Sequence, residues 1–504
     1  MVAMNLRQAA RAAKGKILRG ESHTELTGIS TDTRTLLPGE LFIALKGANY
    51  DAHDFLADAA TKQAGAAVVH NRAAARLAPE LPLVLVKDTT RALGDLANWH
   101  RTRCPTTVIG ITGSNGKTTT KEMLFHVLDG VVRSIMSFSN FNNAFGVPLT
   151  LFQMRPEDVY AVVEMGTSSP GEIARLCEIA DPDIGLITNV AESHLEGLGD
   201  IEGVAREKAV LIKYTARKTG SFFNADDYWS RRVARPLKGT VRSFGIENEA
   251  DLRAFNVRPD RGGTSFRIKG GPRIHIPVPG AHNAANAIAA ISVARKLGVD
   301  WDTIADRLAT FELPAMRMQT KTTGGVTVIN DAYNANPASL EAAARTLSRM
   351  QCAGRKVLVV ADMLELGDRA AELHRELGKT VAGFNFDYLL GRGRQAARLL
   401  ASAAENGMSE EDVRLAESNE ELVRALLGFI GPGDTVLLKG SRGMHLEQVA
   451  GLLESGLGAA GGGGEPSEKT RGHRTSEAAA GTGERVARAP EGTEAALSRE
   501  QTVG

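Results

Sequence analysis

Short apolar runs that close on polar residues punctuate this chain, and segments of helical period fill the gaps between them. Before Cys104, "LFIAL", "AAVVH" and "LPLVLV" predict buried strands, and "MVAMNLRQAARAAKGKIL" carries apolar residues at the spacing of a first helix. "RCPTTVIGITGSNGKT" opens a new unit with a turn proline, an apolar strand, a glycine loop and a helix. "VYAVVEMG", "DIGLITNV" and "TGSFFNADD" then read as strands between helices, the pattern of an α/β unit with a mainly parallel sheet. "GAHNAANAIAAISVARKLG" predicts a helix whose small residues suit close packing. "FELPAMRMQ" breaks the alternation and marks a boundary. A second alternating unit follows in "GVTVINDAYNANP", "RKVLVVADM", "FDYLLG" and "DTVLLKGSR". These breaks divide the chain into 1–104, 105–314, 315–455 and a tail, 456–504. The tail is Gly, Ala, Glu, Ser, Thr and Arg with few large apolar residues, so it is expected to be disordered.

A chain of 504 residues exceeds what one core serves, which agrees with several domains. Its formal net charge of +1 gives no broad field for nucleic acid or an anionic membrane, and neither is expected as a partner. Cys104, Cys177 and Cys352 lie far apart, without CxxC spacing, which suggests a reducing compartment. No segment has the length of a signal core or a membrane span, so a cytoplasmic protein is expected.

The loop "GITGSNGKTTTKEM" has the parts of a phosphate site. Glycines let backbone N–H groups turn inward, a lysine adds charge, a threonine hydroxyl can meet Mg²⁺, and a helix begins beneath them. Gly113, Gly116, Lys117 and Thr118 supply these parts. Ile111 stands where the longer pattern has glycine, so this is a shorter variant. Glu164 ends the strand "VYAVVEMG", and ligands of open parallel sheets bind at that edge. Read alone, Glu164 is either a metal ligand or a strand-end carboxylate in solvent. His194 is a possible metal ligand or a surface residue of a loop. Lys208 reads as a lysine snorkelling from a helix surface. The amides of "NFNNAFGVPLTL" serve a ligand or cap a turn.

"TGSNGKTT", "NNAFGVPLTL", "TNVAESHLEGLG", "NADD", "GAHNAANAIAA", "DAYNANPASL", "ADMLELG" and "LLKGSR" occur in this order. Together they resemble the ATP-dependent Mur ligases of bacterial cell-wall synthesis, from about Met4 to Glu454. "YNANP", "DMLELG" and "KGSR" look like the dipeptide-adding branch of that family. The resemblance implies three domains: an N-terminal uridine-nucleotide domain, a central P-loop ATPase-like domain and a C-terminal Rossmann-like domain. It implies a monomer. ATP and peptide sites on separate domains suggest closure during turnover, with the "FELPAMRMQ" stretch near a hinge. The resemblance also implies ATP and Mg²⁺ as cofactors, with UDP-N-acetylmuramoyl-tripeptide and D-alanyl-D-alanine as substrates joined through an acyl phosphate.

Residue by residue, the resemblance gives Lys117 and the loop Gly113, Ser114, Asn115, Gly116, Thr118 and Thr119 to the ATP phosphates. Thr118, Glu164, His194 and Lys208, the last as a carbamate, would be metal ligands, so the surface reading of Lys208 is reversed. His282, Asn283, Asn286, Arg317 and Asp331 would complete the ATP site. Asn142, Asn143, Asn334, Asn336, Glu365, Lys439, Ser441 and Arg442 would serve the peptide and acceptor, and Thr31, Asp32, Arg34 and His53 the uridine nucleotide. The chain departs from the family pattern at Ser168, Ser169, Val210, Asn330 and Ala332, and it lacks the glycine that usually precedes the arginine at 317.

Overall fold

The structure, a computed structural model, describes residues 2–47, 50–260 and 262–461. Most of the expected tail therefore lies outside the described residues. Its start is corrected, because the last helix, Leu446–Gly461, runs past residue 456. That helix buries Leu446, Val449, Leu453 and Leu457 against the C-terminal sheet, and this packing carries it through the glycines that follow.

The N-terminal sheet has five strands in the order Lys16–Arg19, Leu83–Leu85, Ala66–Val69, Leu41–Ile43, Ile29–Ser30. All but the first are parallel. The helix Thr89–Arg101, capped by Asp88, leads out of this sheet. Leu93 and Leu96 pack on the N-terminal core and Ala97 on the next one, so the helix joins two units.

The central sheet has nine strands, ordered Arg273–Ile276, Gly263–Ile268, Leu252–Asp260, Val241–Gly245, Gly220–Asn224, Ile184–Ile187, Thr107–Thr112, Tyr160–Glu164, Ser134–Met136. It is parallel from the last strand to Leu252–Asp260 and antiparallel beyond. Ile184–Ile187 is buried along its whole length, as a strand covered on both faces must be. Helices Lys117–Asp129 and Ala281–Lys296 cover one face through Met123, Leu124, Ala284 and Ile288. Helices Glu172–Ala180 and Ile201–Thr215 cover the other. The chain leaves Thr107–Thr112 toward one edge and later crosses to Ile184–Ile187 on the other side. The loops after these two strands part and open a crevice at the carboxyl edge.

The C-terminal sheet has six strands, ordered Gln319–Thr323, Val326–Asn330, Thr435–Lys439, Lys356–Ala361, Tyr388–Arg392, Val413–Ala416. Only the Gln319–Thr323 pairing is antiparallel among them. One apolar cluster runs from Ile187, Leu195 and Val204 of the central unit to Met318, Ala335 and Met363 of the C-terminal one. The two units are thus packed together where the crevice opens. Among the described residues, no helix is long and apolar enough to cross a membrane.

Candidate active site

The glycine loop leaves the strand Thr107–Thr112 and starts the helix Lys117–Asp129. Gly113 has φ +152° and Gly116 φ +78°. A Cβ would come within 1.9 Å of Thr188 Oγ1 at Gly113 and within 2.1 Å of Asn286 Oδ1 at Gly116, so conformation and contact both require glycine. Ile111 is buried in the core instead of joining the loop. The expected cradle of amides from Ser114 to Thr118 is narrower here. The Ser114 and Asn115 amides donate to Asn189 O (2.9 Å) and Asn189 Oδ1 (3.0 Å), because the short loop leans on the next one. The Gly116, Lys117 and Thr118 amides take no protein acceptor among the described residues. They lie at the start of the helix, where the dipole favours an anion. Lys117 Nζ folds over the loop to Gly113 O (2.9 Å), and burial lowers its pKa. Thr119 is buried beneath, and Asn283 and Asn286 back the loop through an Asn286 Nδ2 to Asn283 Oδ1 bond of 3.2 Å.

Glu164 is 2% exposed at the end of its strand. Its Oε2 accepts from Thr118 Oγ1 at 2.8 Å and its Oε1 from Asn142 Nδ2 at 2.9 Å. Burial alone would raise its pKa, but Lys121, Lys117, Arg317 and the Asn142 bond together hold it below the usual value. Arg317 arrives from the connection between the central and C-terminal sheets. It lies 4.0 Å over the Tyr333 ring and donates to Thr118 Oγ1 at 2.8 Å. A hydroxyl and an ionised carboxylate thus sit side by side under the loop. They fit Mg²⁺, which takes few carboxylates and keeps water and phosphate oxygens. Among the described residues there is no cluster of three or more His, Cys, Asp or Glu suited to a metal, and this coordination needs none.

Lys208 does not snorkel. It is 1% exposed, and its ammonium has no hydrogen-bond or ion-pair partner among the described residues. Burial first, then the charge of Lys117, push its pKa well below the usual lysine value. The adjacent Glu207 is used elsewhere, accepting from the Gly171 and Ile173 amides at the start of Glu172–Ala180. Thr112 Oγ1 is also buried without a partner among the described residues. Gly110, two residues earlier on the same face of the strand, packs on Leu211 of the helix that carries Lys208. An amine free to react and an unpaired hydroxyl facing the same helix suit an added carboxylate-like group. His194, with φ +54°, pairs its Nδ1 with the Glu365 carboxylate, so these two predicted residues meet across the crevice.

The C-terminal unit supplies more contacts. Asn336 and Asn115 exchange side-chain amide bonds of 2.9 and 3.2 Å. Asn336 also caps the helix Pro337–Arg349. Asp331 is held by Lys439 Nζ (2.7 Å) and the Met318 amide (3.0 Å), and the charges of both Asp331 and Lys439 act on His282, whose pKa burial lowers. Ser441 Oγ accepts from the Leu364 amide, Arg442 reaches Met316 Sδ, and Asn334 is exposed.

The remaining predicted residues make local contacts. Asn143 Oδ1 caps the turn before Gly146–Phe152, accepting from the Phe145 and Gly146 amides. His53 is buried with both ring nitrogens used: Nδ1 donates to Asp51 (2.5 Å), and Nε2 accepts from the His70 amide (3.2 Å). Asp32 and Arg34 bind each other at 2.6 Å, beside the half-buried Thr31, and none of these reaches the glycine loop. Sequence reasoning missed Tyr333, Asn189 and Lys121. The signal for Lys121 was its place four residues after Lys117 on one helix, which puts both on one face.

A phosphate loop at the carboxyl edge of a parallel sheet, with a buried carboxylate below and a second α/β unit closing from above, marks a nucleotide-phosphate enzyme of several α/β domains. Residues 25–101 match the description Mur ligase family, catalytic domain; 111–294, Mur ligase middle domain; and 316–442, Mur ligase, glutamate ligase domain. The UDP-N-acetylmuramoyl-tripeptide–D-alanyl-D-alanine ligase of Bacillus subtilis is 35% identical over 461 residues, covering 91% of this chain and 100% of the relative. A solved MurF from Acinetobacter baumannii superposes with a TM-score of 0.82 at 29% identity, over 90% of this chain and 99% of that one. A MurF ligase from Thermotoga maritima in complex with ADP gives 0.76 at 27% identity, over 86% and 98%. The chain belongs to the Mur ligase family.

Proposed function

We infer that this chain is an ATP-dependent ligase that joins D-alanyl-D-alanine to UDP-N-acetylmuramoyl-tripeptide in peptidoglycan precursor synthesis. The substrates follow from the Bacillus subtilis ligase, which this chain matches over the relative's whole length. The observation that supports phosphoryl transfer is the buried Thr118–Glu164 pair under the glycine loop, with Arg317 brought onto it from the C-terminal side. We also read three domains divided near 104 and 314, and a closing motion about the connection that carries Arg317.

A carboxylate is a poor electrophile, and phosphorylating it creates a leaving group. A carboxylate oxygen of the tripeptide bonds to the γ-phosphorus of ATP as the bond to the β-phosphate oxygen breaks and ADP departs. The amine of D-alanyl-D-alanine, its ammonium proton given up to water, then adds to the acyl carbon, and the added nitrogen loses a second proton to water. Collapse of the tetrahedral centre expels inorganic phosphate and leaves the amide. Lys117 and the free amides from Gly116 to Thr118 hold the phosphates in line, and Arg317 answers the charge that develops on the transferred group. Thr118 and Glu164, with Lys208 as a carbamate and His194, would hold Mg²⁺, which supplies neutralising charge. His194 is kept in place by Glu365, and Asp331 and His282 lie on the ATP side. Thr31, Asp32 and Arg34 remain our proposed contacts for the uridine nucleotide. His53 would act only by shaping that domain.

Purified protein with ATP and Mg²⁺ is expected to release phosphate only when the UDP-linked tripeptide and D-alanyl-D-alanine are both present. Running the assay with lysine and with diaminopimelate as the third residue identifies the tripeptide. Equal release without the dipeptide would refute this reading.

A further inference from the structure

Lys121 is 0% exposed, although its helix neighbours Leu124 and Val127 fill the same core with apolar side chains. Burying an ammonium costs several kcal/mol unless its donors are satisfied. Here all three have partners: Ser137 O at 2.6 Å, Ser139 O at 3.0 Å and Glu122 Oε1 at 3.1 Å. Packing would be served more cheaply by leucine or methionine, so the charge points to another task.

What Lys121 grips supplies that task. Ser137 and Ser139 begin the segment that leaves the edge strand Ser134–Met136 at the carboxyl edge, and Ser139 has a left-handed φ of +45°. This segment wraps Glu164 at both ends. Ser137 Oγ accepts from the Glu164 amide at 3.1 Å, and Asn142 Nδ2 donates to Glu164 Oε1 at 2.9 Å. The Asn142 carbonyl takes the Gly166 amide at 2.8 Å, closing the clasp around the strand end. Lys117 and Lys121 stand four residues apart on one helix, one bound to the glycine loop and the other to the clasp. The helix that begins at the phosphate site therefore also holds the backbone that aims Glu164. The Lys121 charge is moreover the foremost cation acting on the Glu164 carboxyl.

We propose that Lys121 is a positioning residue: by pinning the 137–142 segment it sets the Glu164 carboxylate, through Asn142, in the orientation that Mg²⁺-nucleotide requires. The proposal rests on the reading of Thr118 and Glu164 as the Mg²⁺ end of the site. It assigns Asn142 to Glu164 rather than to the peptide.

The test is calorimetric titration of ADP into the full chain, with and without Mg²⁺, for wild type, Lys121→Met, Lys121→Arg, Asn142→Ala and the double variant Lys121→Met/Asn142→Ala. Thermal unfolding is followed for each. Lys121→Met is expected to lose about tenfold or more of the Mg²⁺-dependent gain in ADP affinity, the usual effect of removing a group that orients a metal ligand. Its Mg²⁺-free affinity stays within about twofold of wild type. Lys121→Arg keeps the charge but brings a larger planar head into a fully buried site, displacing the segment it holds, so it should fall between the two. The double variant should lose no more than the worse single one, because both act through one carboxylate. An intact Mg²⁺ gain in Lys121→Met overturns the proposal, as do additive losses, or equal losses with and without Mg²⁺. If Lys121→Met does not fold, Lys121→Arg decides, and an undiminished gain there overturns the proposal. A wild-type protein whose ADP affinity ignores Mg²⁺ overturns the underlying metal reading as well, which separates the two failures.

Discussion

Lys208 brings an amine into a core that offers it no partner among the described residues. Its lowered pKa means that the folded state gives up a proton the unfolded chain keeps. The fold is therefore penalised below the unfolded lysine value of about 10.4; the penalty grows as pH falls toward the folded pKa and is constant below it. Such a residue survives for what it does once modified or bound. Lys208→Met keeps the volume and removes the penalty. It is expected to raise the apparent melting temperature, with the gain largest at lower pH and gone above the unfolded value. Ligation is expected to fall by about a hundredfold or more, as when a charge-stabilising group is lost from a site. Melting curves across pH and the phosphate-release assay check both parts; a lower melting temperature with intact ligation would refute the role. Residue identity alone hid this site. In the sequence Lys208 sits in a helix like any surface lysine, and only the resemblance reversed that reading. Its burial follows from the way its helix packs on the strand Ile184–Ile187 and the helix Glu172–Ala180, which no local pattern encodes. His53 is another residue whose surroundings the sequence hides: its ring nitrogens meet Asp51 and the His70 amide.

Among the elements, the helix Pro337–Arg349 ties local structure to the site. Asn336 caps it with Ser339 in a reciprocal capping box, and the same side chain exchanges amide bonds with Asn115 of the glycine loop. Asn336→Ala is expected to cost about 1 kcal/mol from the cap alone and to weaken ADP binding. Asn336→Asp keeps the cap acceptor, loses the donor to Asn115 and places a carboxylate near the phosphates. It should keep the stability and lose the affinity. Chemical denaturation and ADP titration separate the two effects; equal behaviour of both variants would mean that the amide pair carries nothing. The core parallel strands and their helices were legible, because runs such as "LFIAL", "VYAVVEMG" and "RKVLVVADM" are buried on both faces and bounded by turn residues. The antiparallel extension Leu252–Asp260, Gly263–Ile268, Arg273–Ile276 was not. Its register shifts between Phe255 and Arg258, Asn256 takes a left-handed φ of +53°, and arginines and threonines interrupt the apolar alternation. The end of the last helix was misplaced for a related reason: glycine and alanine read as tail, while Leu457 still packs on the sheet.

Across the whole molecule, the central and C-terminal sheets meet so that groups distant in sequence share one crevice. Arg317 to Thr118, Asn336 to Asn115, Arg369 to Glu192 and Glu365 to His194 all bridge the central and C-terminal units. The connection that delivers Arg317 has Met316 at φ +58° and Met318 at φ +52°, left-handed conformations that cost an L-residue about 1 kcal/mol or more each. Methionine thus occupies a glycine-like conformation just where the chain lacks the expected glycine, and the Met316 amide donates to Gln319 Oε1 (3.2 Å) while its carbonyl accepts from the Tyr333 amide (3.2 Å). Assembly of these groups has one purpose in the present account, which is to move a phosphoryl group onto a peptide carboxylate. The most direct measurement labels that carboxylate with ¹⁸O and follows the label through ligation to D-alanyl-D-alanine. If an acyl phosphate forms, one ¹⁸O must appear in the inorganic phosphate released. Phosphate free of ¹⁸O, with amide formed at the normal rate, would contradict the account.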